Sequence, residues 1–522
     1  MTDVIDTCIK SLKDTIGNDN VLCEKDLREY YSQDVFATGK ILAAVVQPKS
    51  IVDLISAIKV INNSGLAMYV RGGGYSYTDA YIPLDDNGIS IDLKNLNRII
   101  EVNTEDMFVT VESGCTWEDL DSVLEKHAVR AEFWGPLSGY KATIGGGVSQ
   151  GAASLGSAKH GMSAESVLGM DIITSAGELF STGSSSQETK SPFFRNYGPD
   201  ITGLFCGDSG LLGIKATVTL RLQKRARFVQ GLSYGFDNFS SAQAALKEIA
   251  HSNVATECFG FSARAMETVM ASQGFWNDLK IMFSVGASGR GLWGGIILFL
   301  KMAFAGRRFA KKAKFFAHCV VEGENKLELK GHLQHIHAVV DKHGYTLPNT
   351  MPTVMRAQPF APYPVVGQNG TRMLPMHAIL PFSQVKSFHF ALESLYDEHQ
   401  NEMSEVGMTM PAMYATLSTN GFLYEPVLYW PDTPDIFHEK NSSENLLKPM
   451  RAMKPNVSGR KLARKLFVVI VALMNKHGGI HMQIGKAYPY LDNRSNTAVN
   501  LIKLIKQKTN PNSLINPGAL GL

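Results

Sequence analysis

The chain has 522 residues, too many for one ordinary core, so it divides into two domains or one domain interrupted by another. Its apolar fraction of 44% and charged fraction of 19% are those of a folded globular protein and argue against a disordered one. A formal net charge of +3 is near neutral at this length and points to no nucleic-acid partner, while six cysteines without CxxC spacing argue against a disulfide framework or a cysteine zinc site.

The first 17 residues, MTDVIDTCIKSLKDTIG, are amphipathic with interspersed charges and no continuous apolar run, so a secretory signal is not expected and a cytoplasmic setting is. AAVVQPKS, IVDLISAIKVINNSG and AMYVRGGG then read strand, helix, strand, with Gly65 stopping the helix. GISIDLKNLNRIIEVN and MFVTVESG read as strands around a turn, and TWEDLDSVLEKHA as a helix capped by Thr116. ESVLGMDIITSAGELFST alternates strand and turn, and LLGIKATVTLRLQ is a strongly β-branched strand. From Phe228 to about Ile470 the composition shifts to longer helical patterns with more Met and Phe, and NPNSLINPGALGL closes the chain as a turn-rich segment. Boundaries are therefore expected after residues 227 and 470.

Two apolar stretches carry basic flanks: LWGGIILFLKMAFAG (292–306) followed by RRFAKKAK (307–314), and GRKLARKLFVVIVALMNK (459–476). Fifteen helical residues rise only about 22 Å against a hydrocarbon core of about 30 Å, so the first should not span a bilayer. Either two buried helices with solvated basic ends or two helices lying in a membrane interface fit the pattern. HLQHIH (332–337) places His332 and His335 on one helical face without a carboxylate at ligand spacing, which reads as a solvated face rather than a metal site.

Three glycine-dense turns carry the chemistry. VRGGGYSY (70–77) follows a strand; PLSGYKATIGGGVSQGAASLGSAKHG (136–161) is rich in Gly, Ser and Ala; LFCGDSGLLGI (204–214) precedes a strand. Glycine lets backbone N–H groups approach a phosphate closely, and small residues leave room for a flat, extended ligand. Neither GxGxxG nor a Walker A sequence is present, so a Rossmann or P-loop reading fails.

In this order, and with the closing NPNSLINPGAL, the motifs resemble the FAD-binding fold of the vanillyl-alcohol-oxidase superfamily, over roughly residues 40–225 and the last 15 or so. The resemblance implies an α+β fold: a two-subdomain FAD-binding part (1–227 and 471–522) and an α+β substrate, or cap, domain (228–470). It implies that Arg71, Gly72, Gly73, Gly74, Tyr75 and Ser76 wrap the pyrophosphate. Pro136, Leu137, Ser138, Thr143, Ile144, Gly146, Gly147 and Ser149 would line the isoalloxazine and ribityl chain. Gly156, Ser157, His160 and Gly161 would continue the ribityl and phosphate contacts, and Ile214 would meet the adenine. Many relatives attach FAD through a histidine at the position of Tyr75, so non-covalent FAD is expected here, with a tyrosyl link as the lesser alternative.

The substrate needs a base and, if it is an acid, a cation. Arg372 and His377 in GTRMLPMHAILPFS, and His481, Lys486, Tyr488 and Tyr490 in KHGGIHMQIGKAYPY, are the candidates, with Tyr424 and Tyr197 as weaker ones. The first expectation is hydride transfer from a 2-hydroxy acid such as D-lactate, with electrons passed to a quinone or O2. The alternative is oxidation of a 4-alkylphenol or a lipid-like alcohol. Against phenol chemistry stand His481–Met482, where those relatives carry a Tyr–Arg pair, and Met162, where they carry an aspartate. Membrane-surface contact and a homodimer are compatible with the sequence; the oligomeric state is not legible in it.

Overall fold

The computed structural model describes residues 2–265, 313–362, 365–367, 370–492 and 494–522. Three sheets organise them. The first is four-stranded in the order β1 (Val21–Leu22), β2 (Ala44–Val46), β4 (Ile89–Asp92), β3 (Met68–Arg71), with β2, β4 and β3 parallel. The helix Ile51–Asn63 makes the crossover from β2 to β3; the Ser50 hydroxyl caps its start, and Gly65 at φ 67° lies just past its end. Buried on both faces, these strands read as short continuous apolar runs, which is how parallel strands are written.

The second sheet is antiparallel, in the order β5 (Ile99–Asn103), β6 (Phe108–Glu112), β10 (Ile214–Lys224), β8 (Val167–Ile173), β9 (Leu179–Ser181), with β7 (Val129–Ala131) paired to the far end of β10. The helix Trp117–Glu125 lies beside it, capped by the Thr116 hydroxyl as anticipated. Between these two sheets run the turn after β3, the helix Ile144–Gln150 and the loop leading into β10.

The middle of the chain, where the residue pattern suggests mainly long helices, builds an eight-stranded antiparallel sheet. Its order is β14 (Tyr345–Leu347), β11 (Phe228–Phe236), β13 (Phe315–Gly323), β12 (Ala255–Ser262), β17 (Ala412–Leu417), β18 (Gly421–Pro431), β15 (Thr371–Pro375), and β16 (Ala378–Pro381) also pairs β18. Helices 239–252, 326–340, 382–405 and 457–476 cover one face, and together with that face they form the largest core cluster, including Tyr424, Leu428, Trp430, Phe388 and Ile470. The opposite face turns toward the glycine-rich part: Leu423 meets Ala153, Met162 and Met482, and Val427 shares a cluster with Tyr75 and Tyr77.

Of the two basic-flanked stretches, 292–306 and nearly all of its tail lie outside the described residues. The second forms the helix Val457–Lys476, whose Leu462, Ala463, Leu466, Ile470 and Met474 are buried in the large core. No helix among the described residues is long and apolar enough to cross a membrane. The His332 Nδ1–H donates to the Glu322 carbonyl, and His337 meets the Tyr234 hydroxyl, so these two histidines of HLQHIH serve local contacts.

The C-terminal turn returns to the first sheet and stitches it to the loop before β10. The Asn516 side chain accepts from the Val70 N–H at 2.9 Å and donates to the Ser209 carbonyl at 2.9 Å, while Asn510 holds the 514–515 backbone and the Leu211 carbonyl. Asn516→Ala leaves both backbone groups without partners in a buried place. It is expected to cost about 1–3 kcal/mol, read as a lowered Tm of the purified protein; an unchanged Tm would show that the stitch is dispensable.

Candidate active site

A cavity of about 120 Å³ lies between the first two sheets. It is lined by Gly72, Gly73, Gly74, Tyr75 and Ser76 after β3, by Pro136, Ser138 and Thr143, by Gly146, Gly147 and Ser149 of the short helix, and by Ile214 at the start of β10. The turn and the helix touch backbone to backbone. A Cβ at Gly72 would run into the Thr143 hydroxyl, one at Gly73 into the Lys141 carbonyl, and one at Gly145 would sit 2.5 Å from Ser113 Cβ. These glycines are thus required by close approach, which is why the motif is written with them. At Gly146, by contrast, a Cβ meets only Thr143 Oγ1 at 3.0 Å, because the position opens into the cavity.

Other expected contacts lie elsewhere. Arg71 is 2% exposed, and its guanidinium sits in a cage of Tyr30, Tyr31 and Tyr81 at 4.6, 4.5 and 5.1 Å from their ring centres. It braces the turn from behind rather than lining the cavity. Leu137 and Ile144 pack into the core of the second sheet. Gly156, Ser157, His160 and Gly161 face the eight-stranded sheet: the Gly156 N–H donates to Glu257 Oε1 at 2.7 Å, Ser157 accepts from the Ser418 N–H, and His160 meets Gln223. Burial and the nearby Arg130 push the His160 imidazole down to about 4.

The cavity also takes Gln150 and Gln483, from segments far apart in sequence, joined where the Gln483 N–H donates to the Gln150 carbonyl at 2.7 Å. The Gln150 side-chain oxygen is buried without a hydrogen-bond partner, the state of a group that awaits a ligand. Tyr75 points its hydroxyl at Tyr140, 2.7 Å away, and burial holds it protonated.

Next to Tyr75, through Tyr77, lies a small cluster that is not part of the cavity lining. His377 is fully buried, lies 5.8 Å from the Tyr77 ring and 5.2 Å from the Tyr488 ring, and has both ring nitrogens unpartnered. Burial, then the neighbouring His481, lowers its pKa to about 3. His481 stacks on Tyr488 at 4.2 Å with both nitrogens engaged, Nδ1 at the His377 carbonyl and Nε2 at Asn475 Oδ1. The Tyr488 hydroxyl accepts the His377 backbone N–H at 3.0 Å.

Strand alternation decides the remaining candidates. Tyr424 points into the helix layer, where its hydroxyl meets His389 at 2.7 Å, so it cannot face the cavity. Arg372 falls on that same outer face beside Leu374; its guanidinium is paired with Asp435 at 2.8 Å and Asp432 at 3.7 Å and donates to the Thr433 carbonyl. It is therefore not offered to a substrate. Lys486 donates to the carbonyls of Asp79, Ala80 and Ile82, each at 3.0 Å. Tyr197 is exposed.

The residue that sequence reasoning missed is Glu425, one position past Tyr424 and therefore on the opposite face. Its strand neighbours Leu423 and Val427 both meet the glycine-rich part, and Leu423, Tyr424, Pro426 and Val427 are all buried while Glu425 keeps partial accessibility. Desolvation raises its carboxyl to about 7. The signal was the alternation itself: LYEPV places one carboxylate between two apolar residues on an inward face.

Comparison with known proteins agrees with this geometry. Residues 42–183 match the FAD binding domain family. An uncharacterized FAD-linked oxidoreductase of Mycobacterium tuberculosis is 26% identical over 245 residues, 46% of this chain and 51% of that protein. The mitochondrial D-lactate dehydrogenase [cytochrome] 1 of Saccharomyces cerevisiae is 25% identical over 261 residues, 48% of this chain and 43% of that protein. The chain thus matches about half the length of these curated relatives. Among solved structures, p-cresol methylhydroxylase superposes with a TM-score of 0.72 at 15% identity, covering 100% of this chain and 98% of that one. Alkyldihydroxyacetonephosphate synthase gives 0.71 at 15% identity, covering 98% and 84%. These structural likenesses show the fold: an α+β architecture of the vanillyl-alcohol-oxidase type, with the FAD binding domain around the cavity. Residues 42–183 thus form an FAD binding domain within a fold shared with these flavoproteins.

Proposed function

We propose that this chain is an FAD-dependent oxidoreductase that oxidises a carbon bearing a hydroxyl group, on a substrate whose body is apolar and uncharged. The observation that carries this reading is the meeting of two walls. On one side is a cavity of about 120 Å³ lined by the glycine turn and the short helix. On the other is a sheet face where His377, Glu425, Tyr77 and Tyr488 sit among apolar side chains such as Leu423, Val427, Met482 and Met162. FAD, when bound, supplies a two-electron acceptor for a hydride. The glycine turn and short helix hold its phosphates and ribityl chain through backbone groups, Gln150 and Gln483 reach its edge, and the apolar wall excludes water from the substrate.

Of the substrate classes that the sequence leaves open, this geometry favours the uncharged ones, a lipid-like alcohol or a 4-alkylphenol. A 2-hydroxy acid needs a cation, and Arg372, the residue expected to supply it, is held by Asp432 and Asp435. We hold FAD to be non-covalent, since the Tyr75 hydroxyl is occupied by Tyr140, and its electrons to pass on to a quinone or O2.

Three outcomes test this. Protein reconstituted with FAD should bleach anaerobically on adding 4-hydroxybenzyl alcohol and release all its flavin on acid denaturation; bleaching by D-lactate alone would restore the 2-hydroxy acid, and a coloured pellet would show a covalent link. Gly73→Ala should weaken FAD binding tenfold or more, because overpacking costs about 1–3 kcal/mol and here the Cβ meets a backbone carbonyl. Retained flavin in that variant would remove the turn from the site.

Arg372→Ala is expected to cost stability, about 3–5 kcal/mol for a broken buried pair, while KM stays unchanged. Against the opposing effect of burial, Arg460, Asn456, Thr433 and Arg372 hold Asp432 down to about 2, and His438 and Arg372 do the same for Asp435. Carboxyls depressed on folding lend stability above their ordinary range near ~4 and lose it as pH falls toward 2. The variant's Tm should therefore fall less steeply than the parent's over that acid interval; equal slopes would separate Arg372 from the pair.

A further inference from the structure

Resting on the FAD reading above, we propose that Glu425 is the catalytic base that takes the substrate's hydroxyl proton, and that its charge excludes anions from the flavin's substrate face. The placement comes from the strand. In β18, Phe422, Tyr424, Leu428 and Trp430 point into the helix layer, and Leu423 and Val427 point toward the glycine-rich part. Glu425 lies between the latter two and shares their face. Across the sheet it pairs with Met413, an apolar neighbour, and no hydrogen bond or ion pair is recorded for its carboxylate among the described residues.

The titratable groups near this face include Tyr77, His377, His481 and Tyr488 and, on the strand Ala255–Ser262 of the same sheet, Glu257. His377 and His481 are pushed below their ordinary range by burial, and Tyr488 is pushed up. Lys486, in the same loop as Tyr488, is bound to three backbone carbonyls, and Arg372 faces the other side of the sheet. Burial raises both Glu425 and Glu257 to about 7, but Glu257 Oε1 is taken by the Gly156 N–H, which leaves Glu425 as the carboxylate on this face without a partner among the described residues. His377 cannot be the base, since a fully buried imidazole that stays neutral to about pH 3 has little appetite for a proton at pH 7.

The step balances simply. The hydroxyl O–H proton passes to the Glu425 carboxylate, the carbon-bound hydrogen leaves with its electron pair to oxidised FAD, and the alcohol becomes a carbonyl compound. An alcohol or a protonated phenol loses nothing by approaching this carboxylate. A 2-hydroxy acid would bring a second negative charge into an apolar, poorly solvated site, a repulsion of several kcal/mol at effective dielectric about 20.

Glu425→Gln keeps the shape of the side chain and removes its charge and its basicity. In FAD-reconstituted protein, sulfite, an anion that adds to the flavin ring and bleaches it, should bind the variant about tenfold or more tightly than the parent above pH 7, with the two converging below pH 6. Infrared pH-difference spectra should show carboxyl bands titrating near 7 to 8, from Glu425, Glu257 and Asp34, and the variant should lose one of them. Reduction by 4-hydroxybenzyl alcohol should slow by about 10²-fold or more, with Glu425→Asp recovering part of the rate. Equal sulfite affinity at high pH, or a variant spectrum that loses no carboxyl band near 7, would overturn the role of Glu425. Parent protein that binds no FAD would instead overturn the reading beneath it, so the two failures are distinct.

Discussion

The contact between the turn Gly72–Gly74 and the segment 141–143 leaves no room for a methyl group on the turn, where Gly73 meets the Lys141 carbonyl and Gly72 the Thr143 hydroxyl. Three neighbours depend on it. Arg71, caged by tyrosines, presses the turn forward; the Thr143 hydroxyl caps the short helix and meets Gly72; Asn516 ties the preceding strand to the Ser209 loop. The cavity is what remains when two sheets are held this close at one edge and apart at another. A single added Cβ would therefore shift both walls together, since the interior transmits strain rather than absorbing it.

Buried polar atoms without partners are scattered through the molecule, His318 Nε2 and Thr416 Oγ1 among them, and a few lie at or near the candidate site. Gln150 Oε1 and both nitrogens of His377 are buried without partners, and the Glu425 carboxyl is desolvated. Each such group costs on the order of 1–3 kcal/mol, and a scaffold selected for stability alone would have paired or removed them. Elsewhere buried charge is matched: Lys215 with Asp208, Arg130 and Arg356 with Glu322, Arg460 with Asp432.

How much of this was legible in the sequence depended on periodicity. The strand–helix–strand opening, the Thr116 cap and the glycine turns could be read because local chemistry dictates them: caps, φ-positive glycines and β-branched runs need no knowledge of partners. The eight-stranded sheet was not, because its strands are interleaved with long helices and are as apolar as helix faces. Nor could the substrate residues be read. Tyr424 drew attention through its aromatic ring and Arg372 through its charge, yet both fall on the outer face, where one meets His389 and the other Asp435. A slip of one residue on a strand turns a side chain to the other side, so without the register Tyr424 and Glu425 look equally placed.

The disposition of cations carries the argument one step further. Arg71 is in a tyrosine cage, Lys215 on Asp208, Lys486 on carbonyls, Arg372 on two aspartates. Among the described residues that border the cavity, positive charge is consumed internally, so an anionic cofactor must be held by backbone N–H groups of the glycine segments, and an anionic substrate finds no counter-ion on the sheet face. Backbone donors suit a permanent ligand: they are fixed before it arrives and need no side-chain ordering. A carboxylate on an apolar face suits a transient one that is neutral and gives up a proton. The same fold thus separates the two tasks by face, charge for the cofactor neutralised through the main chain and charge for the reaction supplied by one side chain.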